Sequence, residues 1–290
     1  MKTLVERLTE RRPLLLDGAT GTELNRRGIA TSLPLWSATA LLTARDTLRQ
    51  IHAEYVAAGA ELITANTFRT HARNLAAGGL DSRAQELTRI AVEEAQAAAG
   101  STVYVAGSMA PLEDCYSPQL VPPNRELVTE HRAMAANLTA AGVDCILVET
   151  MNTIRESRIA TQAAVATGLP VLTSFVCGMD GQLLSGESMQ AAAQSLLPCQ
   201  PQAILINCGS APSMLTPLKQ LANSAGSIPL GVYANIGSPD PDHGWRNTDA
   251  YRPMTYAQYA AMWLKSGATI LGGCCGTTPA HIQQLAQALS

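Results

Sequence analysis

Histidine, charge and aromatic rings are all scarce in this sequence, and each shortage closes off a class of function. The five histidines, His52, His71, His131, His243 and His281, show no HxxxH or HExxH spacing, so a histidine-ligated metal is not expected. Charged residues make up 15% of the chain and the net charge is −3. That leaves no basic footprint for nucleic acid or an anionic membrane. No apolar run reaches the roughly 20 residues of a bilayer-spanning helix. Residues 1–7 lack the apolar segment of a secretory signal. No Gly-x-Ser-x-Gly elbow marks a hydrolase. Seven cysteines, an odd and scattered set, do not make a disulfide framework, and they point to a reducing compartment. The expected location is the cytoplasm. Aromatics are only 4% of the chain, a composition suited to helices packed closely on strands.

What is present is a rhythm of apolar runs. They fall at residues 14–17, 62–66, 103–107, 145–149, 171–176, 203–208, 230–235 and 268–274. Each is continuously apolar, as in a parallel strand covered on both faces, and each is followed by a helical stretch. Thr43 with Asp46 has the spacing of a capping box. Leu48, Ile51, His52, Tyr55 and Val56 then share one helical face, with Gly59 as a stop. Leu127, His131, Met134 and Leu138 repeat the pattern before Gly142. Thr278-Pro279 opens a last helix. Eight such units in 290 residues predict a (β/α)8 TIM barrel, a single domain spanning residues 1–290, with a doubly wound open sheet as the alternative. In a barrel, the active site lies at the C-terminal ends of the strands. Asp17, Asn66, Glu149, Cys208, Asn235, Cys274 and Cys275 stand at those ends. Two long connections, 108–123 and 236–254, leave from the same side and read as binding loops without regular structure.

Cys274 and Cys275 are adjacent and flanked by glycine. Neighbouring cysteines rarely bond to each other, because disulfide geometry is demanding. A turn permitted by the glycines brings both sulfurs to one side. With Cys208 at the end of another strand they make a three-thiolate set with one open position, the pattern of a catalytic zinc site. Cys115, Cys145, Cys177 and Cys199 have no such context and read as packing or loop residues. Asp17 and Glu149 suit a substrate ammonium, or else cap helices. The small-residue loop after Asp17 can turn backbone amides toward an anion. Trp36 either packs or faces a cationic ligand.

These segments together resemble the homocysteine S-methyltransferase family. The resemblance is carried by Asp17-Gly18-Ala19-Thr20-Gly21-Thr22-Glu23-Leu24, Thr64-Ala65-Asn66-Thr67-Phe68, Glu149-Thr150, Asn207-Cys208 and Gly272-Gly273-Cys274-Cys275-Gly276, and runs nearly end to end. That family includes betaine- and S-methylmethionine-dependent enzymes and the homocysteine-binding module of cobalamin-dependent methionine synthase. The resemblance implies Zn2+ on Cys208, Cys274 and Cys275. It implies that Asp17 and Glu149 hold the amino group of homocysteine and that the Gly18 and Ala19 amides hold its carboxylate. Asn66, Asn235 and Trp36 join the expected substrate-binding set. Asn235 is expected either to occupy the open metal position through its side-chain carbonyl or to bond the substrate or the loop that follows it. The implied reaction is methyl transfer from a small sulfonium or ammonium donor to homocysteine, giving methionine. S-methylmethionine and S-adenosylmethionine are the favoured donors. The chain ends 15 residues after Cys275, which favours a small diffusible donor over a folate or cobalamin module. A different small thiol as acceptor, or a non-catalytic zinc- or thiol-binding barrel, are the alternatives.

Overall fold

A computed structural model describes residues 2–10, 12–240 and 244–289. Eight strands pair in parallel in the order β1 (Leu14–Leu15), β10 (Ala268–Gly273), β7 (Leu230–Asn235), β6 (Ala203–Ser210), β5 (Val171–Val176), β4 (Cys145–Met151), β3 (Tyr104–Met109) and β2 (Leu62–Ala65). A parallel bridge between Leu16 and Leu62 closes the ring. The fold is therefore the (β/α)8 barrel, and the open-sheet alternative falls away. Strand parity sorts the side chains into two cores. Leu14, Leu62, Cys145, Leu147, Leu205 and Ile270 fill the barrel interior. Their neighbours Leu15, Ile63, Ile146, Ile204 and Leu271 face the surrounding helices. Burial on both faces explains why the runs carry no polar alternation.

Eight helices follow the eight barrel strands: Arg45–Ala57, Ala84–Ala99, Asn124–Ala141, Ile154–Val165, Met189–Leu196, Leu215–Ala222, Pro253–Lys265 and Pro279–Leu289. Leu48, Ile51, His52 and Tyr55 are buried on the first of them, as their spacing requires. Leu127, His131, Met134 and Leu138 are buried on the third, which ends on left-handed Gly142. The expected capping box at Thr43 does not form. Thr43 closes a preceding short helix and donates to Thr39 O, and the helix proper begins after Ala44 without a side-chain cap.

Two features differ from the sequence reading. A short helix, Leu4–Leu8, lies across the N-terminal floor of the barrel, with Leu4 in the inner core. Its buried Arg7 donates to both carboxylate oxygens of Glu61 and to the carbonyls of Arg12 and Pro13. The connection 236–254 is not structureless. It contains an antiparallel hairpin, β8 (Gly237–Asp240) and β9 (Gly244–Asn247); residues 241–243, His243 among them, lie outside the described residues. No described helix is long and apolar enough to cross a membrane.

Candidate active site

Six of the eight barrel strands, together with Leu16 and Asp17 just after β1, send residues to one cavity of about 400 Å³ at the C-terminal rim. Its floor carries the cysteines. Cys208 sits where the register of β6 against β7 slips between Asn207 and Ser210, and its φ is 55°. A residue with a Cβ rarely takes that left-handed conformation, which costs on the order of 1–3 kcal/mol. Cys274 and Cys275 follow β10 directly, in the turn that the flanking glycines allow. Gly276 has φ 82°, and a Cβ there would stand 2.4 Å from Ile236. A Cβ on Gly273 would stand 2.3 Å from the Thr277 hydroxyl.

The turn brings the Cys208 and Cys274 sulfurs to 2.7 Å, and all three sulfurs lie within 4.8 Å of one another. Among the described residues this is the one trio of cysteine, histidine or acidic side chains able to share an ion. Hydrogen bonding from Cys208 and Cys274 holds the Cys275 thiol well below its ordinary range. Three soft donors with no fourth protein ligand of these types fit a thiophilic metal with an open position.

Asn235 makes two hydrogen bonds beside that position. Its amide donates to Cys208 O at 2.7 Å, and its carbonyl accepts from Cys275 N at 2.9 Å. The backbone N–H of Cys275 can only donate, which fixes the orientation of the amide. Asn235 is completely buried, and beyond these two bonds it keeps one amide hydrogen and one carbonyl lone pair. It is a positioning residue that clamps the two cysteine-bearing segments together. Tyr256 adds a second clamp beneath: its hydroxyl lies within hydrogen-bond reach of Gly272 O and Ala234 O, and accepts from Ala234 N.

A similar device turns Glu149 inward. The register of β4 against β5 shifts between Val148 and Met151, and Thr150 has φ 60°. Buried Asn207 secures this bend. It accepts from Thr150 N at 3.2 Å and donates to Thr150 Oγ1 at 2.8 Å, and Ser174 Oγ donates to it in turn. Glu149 then accepts from Ser108 Oγ at 2.5 Å and Tyr233 OH at 3.1 Å. Asp17 accepts from Thr64 N at 2.8 Å and Thr64 Oγ1 at 3.2 Å. Neither carboxylate makes an ion pair among the described residues. Burial pushes Asp17 up to about 8 and Glu149 up to about 7, more than their hydrogen bonds bring them down. This is a site prepared for a positive charge that the protein itself does not provide.

The first loop departs from expectation at one of its two amides. Ala19 N donates to Thr277 Oγ1 at 3.2 Å, and Ala19 O accepts from the buried Tyr55 hydroxyl. The Ala19 amide is therefore spent on the fold. Gly18 N makes no hydrogen bond among the described residues. Asn66 lines the cavity but donates to Ser37 O at 2.8 Å, which fixes the segment carrying Trp36. Trp36 has φ 46° and lines the cavity, with its ring edge-on to Phe68 at 5.6 Å between centroids.

Cys145 packs inside the barrel, and Cys177 and Cys199 are buried away from the cavity. Cys115 does reach the cavity wall, and burial pushes its thiol up to about 12, so it stays protonated. Sequence reasoning gave no role to Thr64 and Asn207 and missed Ser108 and Tyr233, although each interrupts an apolar strand within three residues of its end. It also missed Tyr256, Thr277 and Trp245, which only the closed barrel brings to the site.

A family model described as homocysteine S-methyltransferase matches residues 14–289. The homocysteine S-methyltransferase of Escherichia coli K12 is 30% identical, the alignment covering 94% of each chain. Homocysteine S-methyltransferase YbgG of Bacillus subtilis is 28% identical, over 97% of this chain and 96% of the relative. Among solved structures, the metallated form of the homocysteine methyltransferase MmuM from Escherichia coli superposes with a TM-score of 0.84 at 28% identity, over 97% of this chain and 98% of that one. The apo form of the same protein gives 0.77 at 27% identity, with 98% of each chain covered.

Proposed function

The chain belongs to the homocysteine S-methyltransferase family, and from that premise we propose that it moves a methyl group from a small sulfonium or ammonium donor to the thiolate of L-homocysteine, with zinc held by Cys208, Cys274 and Cys275. S-methylmethionine and S-adenosylmethionine are the foremost donors. The observation that carries this reading is one cavity that joins three clustered thiols to two buried carboxylates lacking a cation.

Cys208, Cys274 and Cys275 would hold the zinc, which when bound would lower the pKa of an incoming thiol toward neutral pH. Everything else falls to the chain. Asp17 and Glu149 take the homocysteine ammonium, which returns both groups to the ionised form. Ser108, Tyr233 and Thr64 keep those carboxylates aimed, so little order is lost on binding. The free Gly18 amide stands beside Asp17 as a donor for the substrate carboxylate. Asn235 fixes the spacing of the cysteine-bearing segments. The wall around Trp36 excludes water and accepts the onium donor, whose charge favours an aromatic face. The new S–CH3 bond forms as the donor's own bond to that methyl breaks. The donor leaves as a neutral sulfide or amine, so no general acid is required.

The test is to incubate zinc-loaded protein with homocysteine and, in turn, S-methylmethionine, S-adenosylmethionine, betaine and dimethylsulfoniopropionate. The expected result is methionine from at least one sulfonium donor and about one zinc per chain, as for a single catalytic site. No methionine from any donor would reject homocysteine as acceptor and direct the search to other small thiols.

A further inference from the structure

Arg69 is a cation on the cavity wall with no anion of its own. It follows β2 by four residues and lines the cavity. Its Nη1 donates to Asn74 Oδ1 at 3.2 Å, and buried Asn74 is itself anchored on Leu112 O. Its guanidinium lies over the Phe68 ring at 5.6 Å. Nε is buried without a hydrogen-bond partner. Nη2 has no partner among the described residues, and Arg69 makes no ion pair there. Asp114, also on the cavity wall, is committed to its own turn, accepting from Tyr116 N and Ser117 Oγ. Unmatched buried donors of this kind are uncommon in native proteins and call for an explanation.

The surroundings say what would match it. The chain has three Trp, seven Tyr and two Phe in 290 residues; five of these, Trp36, Phe68, Tyr116, Tyr233 and Trp245, are among the 27 residues that line the cavity. Rings are thus concentrated where an onium group would sit. Asp17 and Glu149 answer a positive charge on the other side. Arg69 alone, among the described cavity-lining side chains, offers a charge complementary to an anion. Phe68 joins the two functions physically, with Trp36 against its edge and Arg69 over its face.

We propose that Arg69 is the residue that anchors the donor carboxylate and so sets the preference for carboxylate-bearing onium donors over onium compounds without one. This rests on the methyltransferase reading above. The guanidinium takes the donor carboxylate while the onium methyl lies along the aromatic wall, pointing at the acceptor sulfur. Asn74 orients the guanidinium from behind. Onium compounds without a carboxylate have no partner for Arg69 and leave its buried Nε unmatched, which favours discrimination.

The test compares S-methylmethionine with its carboxamide, which differs only in the anionic group, in the wild type, Arg69→Gln and Arg69→Lys. In the wild type the carboxylate donor should be preferred by about ten- to a hundredfold in kcat/KM, the effect of one charge-assisted hydrogen-bonded pair. Arg69→Gln should raise the KM for S-methylmethionine by a similar factor. It should leave the carboxamide donor and the KM for homocysteine within about twofold, and Arg69→Lys should recover part of the loss. Equal use of both donors by the wild type overturns the proposal, whatever the variants do. So does an Arg69→Gln effect that falls on homocysteine, which would place the acceptor carboxylate at Arg69. Calorimetric binding of the two donors keeps this decision separate from the reaction. If no methionine forms with any donor, the methyltransferase reading fails, while carboxylate-dependent binding lost in Arg69→Gln still supports the anchor and its absence still rejects it.

Discussion

Glu61 precedes β2 at the floor of the barrel, and Asp17 follows β1 at its rim. Both carboxylates lie on the same pair of strands, yet they are held in opposite ways. Glu61 is enclosed by Arg7 and Arg12 and also accepts weakly from Leu15 N. Against the cost of burial, the two guanidinium groups hold it below the usual carboxylate range. Asp17, with Glu149 across the cavity, has only amide and hydroxyl donors, and burial wins in the other direction. The floor is charge-complete and serves the fold. The rim is charge-incomplete and costs the fold stability until a ligand arrives. The same division runs through the backbone: of the four non-glycine residues with positive φ among the described residues, Trp36, Thr150 and Cys208 line the cavity and Gln200 does not. Strain and unmatched charge gather where the chemistry is, and buried asparagines hold them there.

The hardest test of that division is at the cysteines. Cys208→Ala, Cys274→Ala or Cys275→Ala should each abolish metal content and methyl transfer, whereas Cys145→Ala, inside the barrel, should keep both. Metal analysis beside turnover checks it; metal retained in any of the three rim variants would break the assignment. Asn235→Ala should lower metal affinity by about 10- to 100-fold, as expected for a residue that orients the cysteine ligands. Titration against a chelator of known affinity measures this, and unchanged affinity would mean that the turn holds its shape unaided.

Asp17→Asn should weaken binding of the acceptor about 10- to 100-fold, the loss of one charge-assisted contact. It should also stabilise the substrate-free protein. A carboxylate whose folded pKa is raised binds its proton more tightly folded than unfolded, so stability declines as pH rises from about 4 toward about 8. Removing the charge removes that decline. A higher melting temperature at pH 8 with little change at pH 4 is the expected signature, and a drop at both would show that Asp17 is structural. Glu61→Gln should do the reverse. Its lowered pKa contributes stability above the unfolded value that is lost on acidification. The substitution should cost about 1–3 kcal/mol, read by denaturant unfolding, with acceptor binding intact.

The smallest effect is on protons. Because Asp17 and Glu149 hold theirs up to about 8 and about 7 in the empty site, binding an ammonium should release protons near pH 7. Affinity should rise with pH between about 6 and 8. Norleucine, which has no thiol, isolates this from metal chemistry, and calorimetry in two buffers of different ionisation enthalpy reports it. No buffer dependence would mean that the carboxylates are already ionised before the ligand binds.

The sequence by itself determined the barrel and singled out the residues proposed to bear the chemistry. Continuous apolar runs require burial on both faces, and eight of them in regular alternation with helices leave few ways to close a sheet. Cys208, Cys274, Cys275, Asp17 and Glu149 were legible because a polar or thiol side chain at the end of such a run has no packing role to explain it. The tertiary structure alone decided what those residues are free to do. Ala19 looked like an amide donor for substrate, because sequence shows which groups can bond but not which bonds the closed barrel has already made. Hydrogen-bonding capacity is finite, and here it is consumed by contacts such as Asn235 with Cys208 and Cys275, or Ala19 with Thr277, between residues 27 to 258 positions apart. The floor helix, the hairpin that carries Trp245, and the unmatched guanidinium of Arg69 escaped the sequence for the same reason. Each is defined by what surrounds it in space, and the surroundings are assembled only when the last strand pairs with the first.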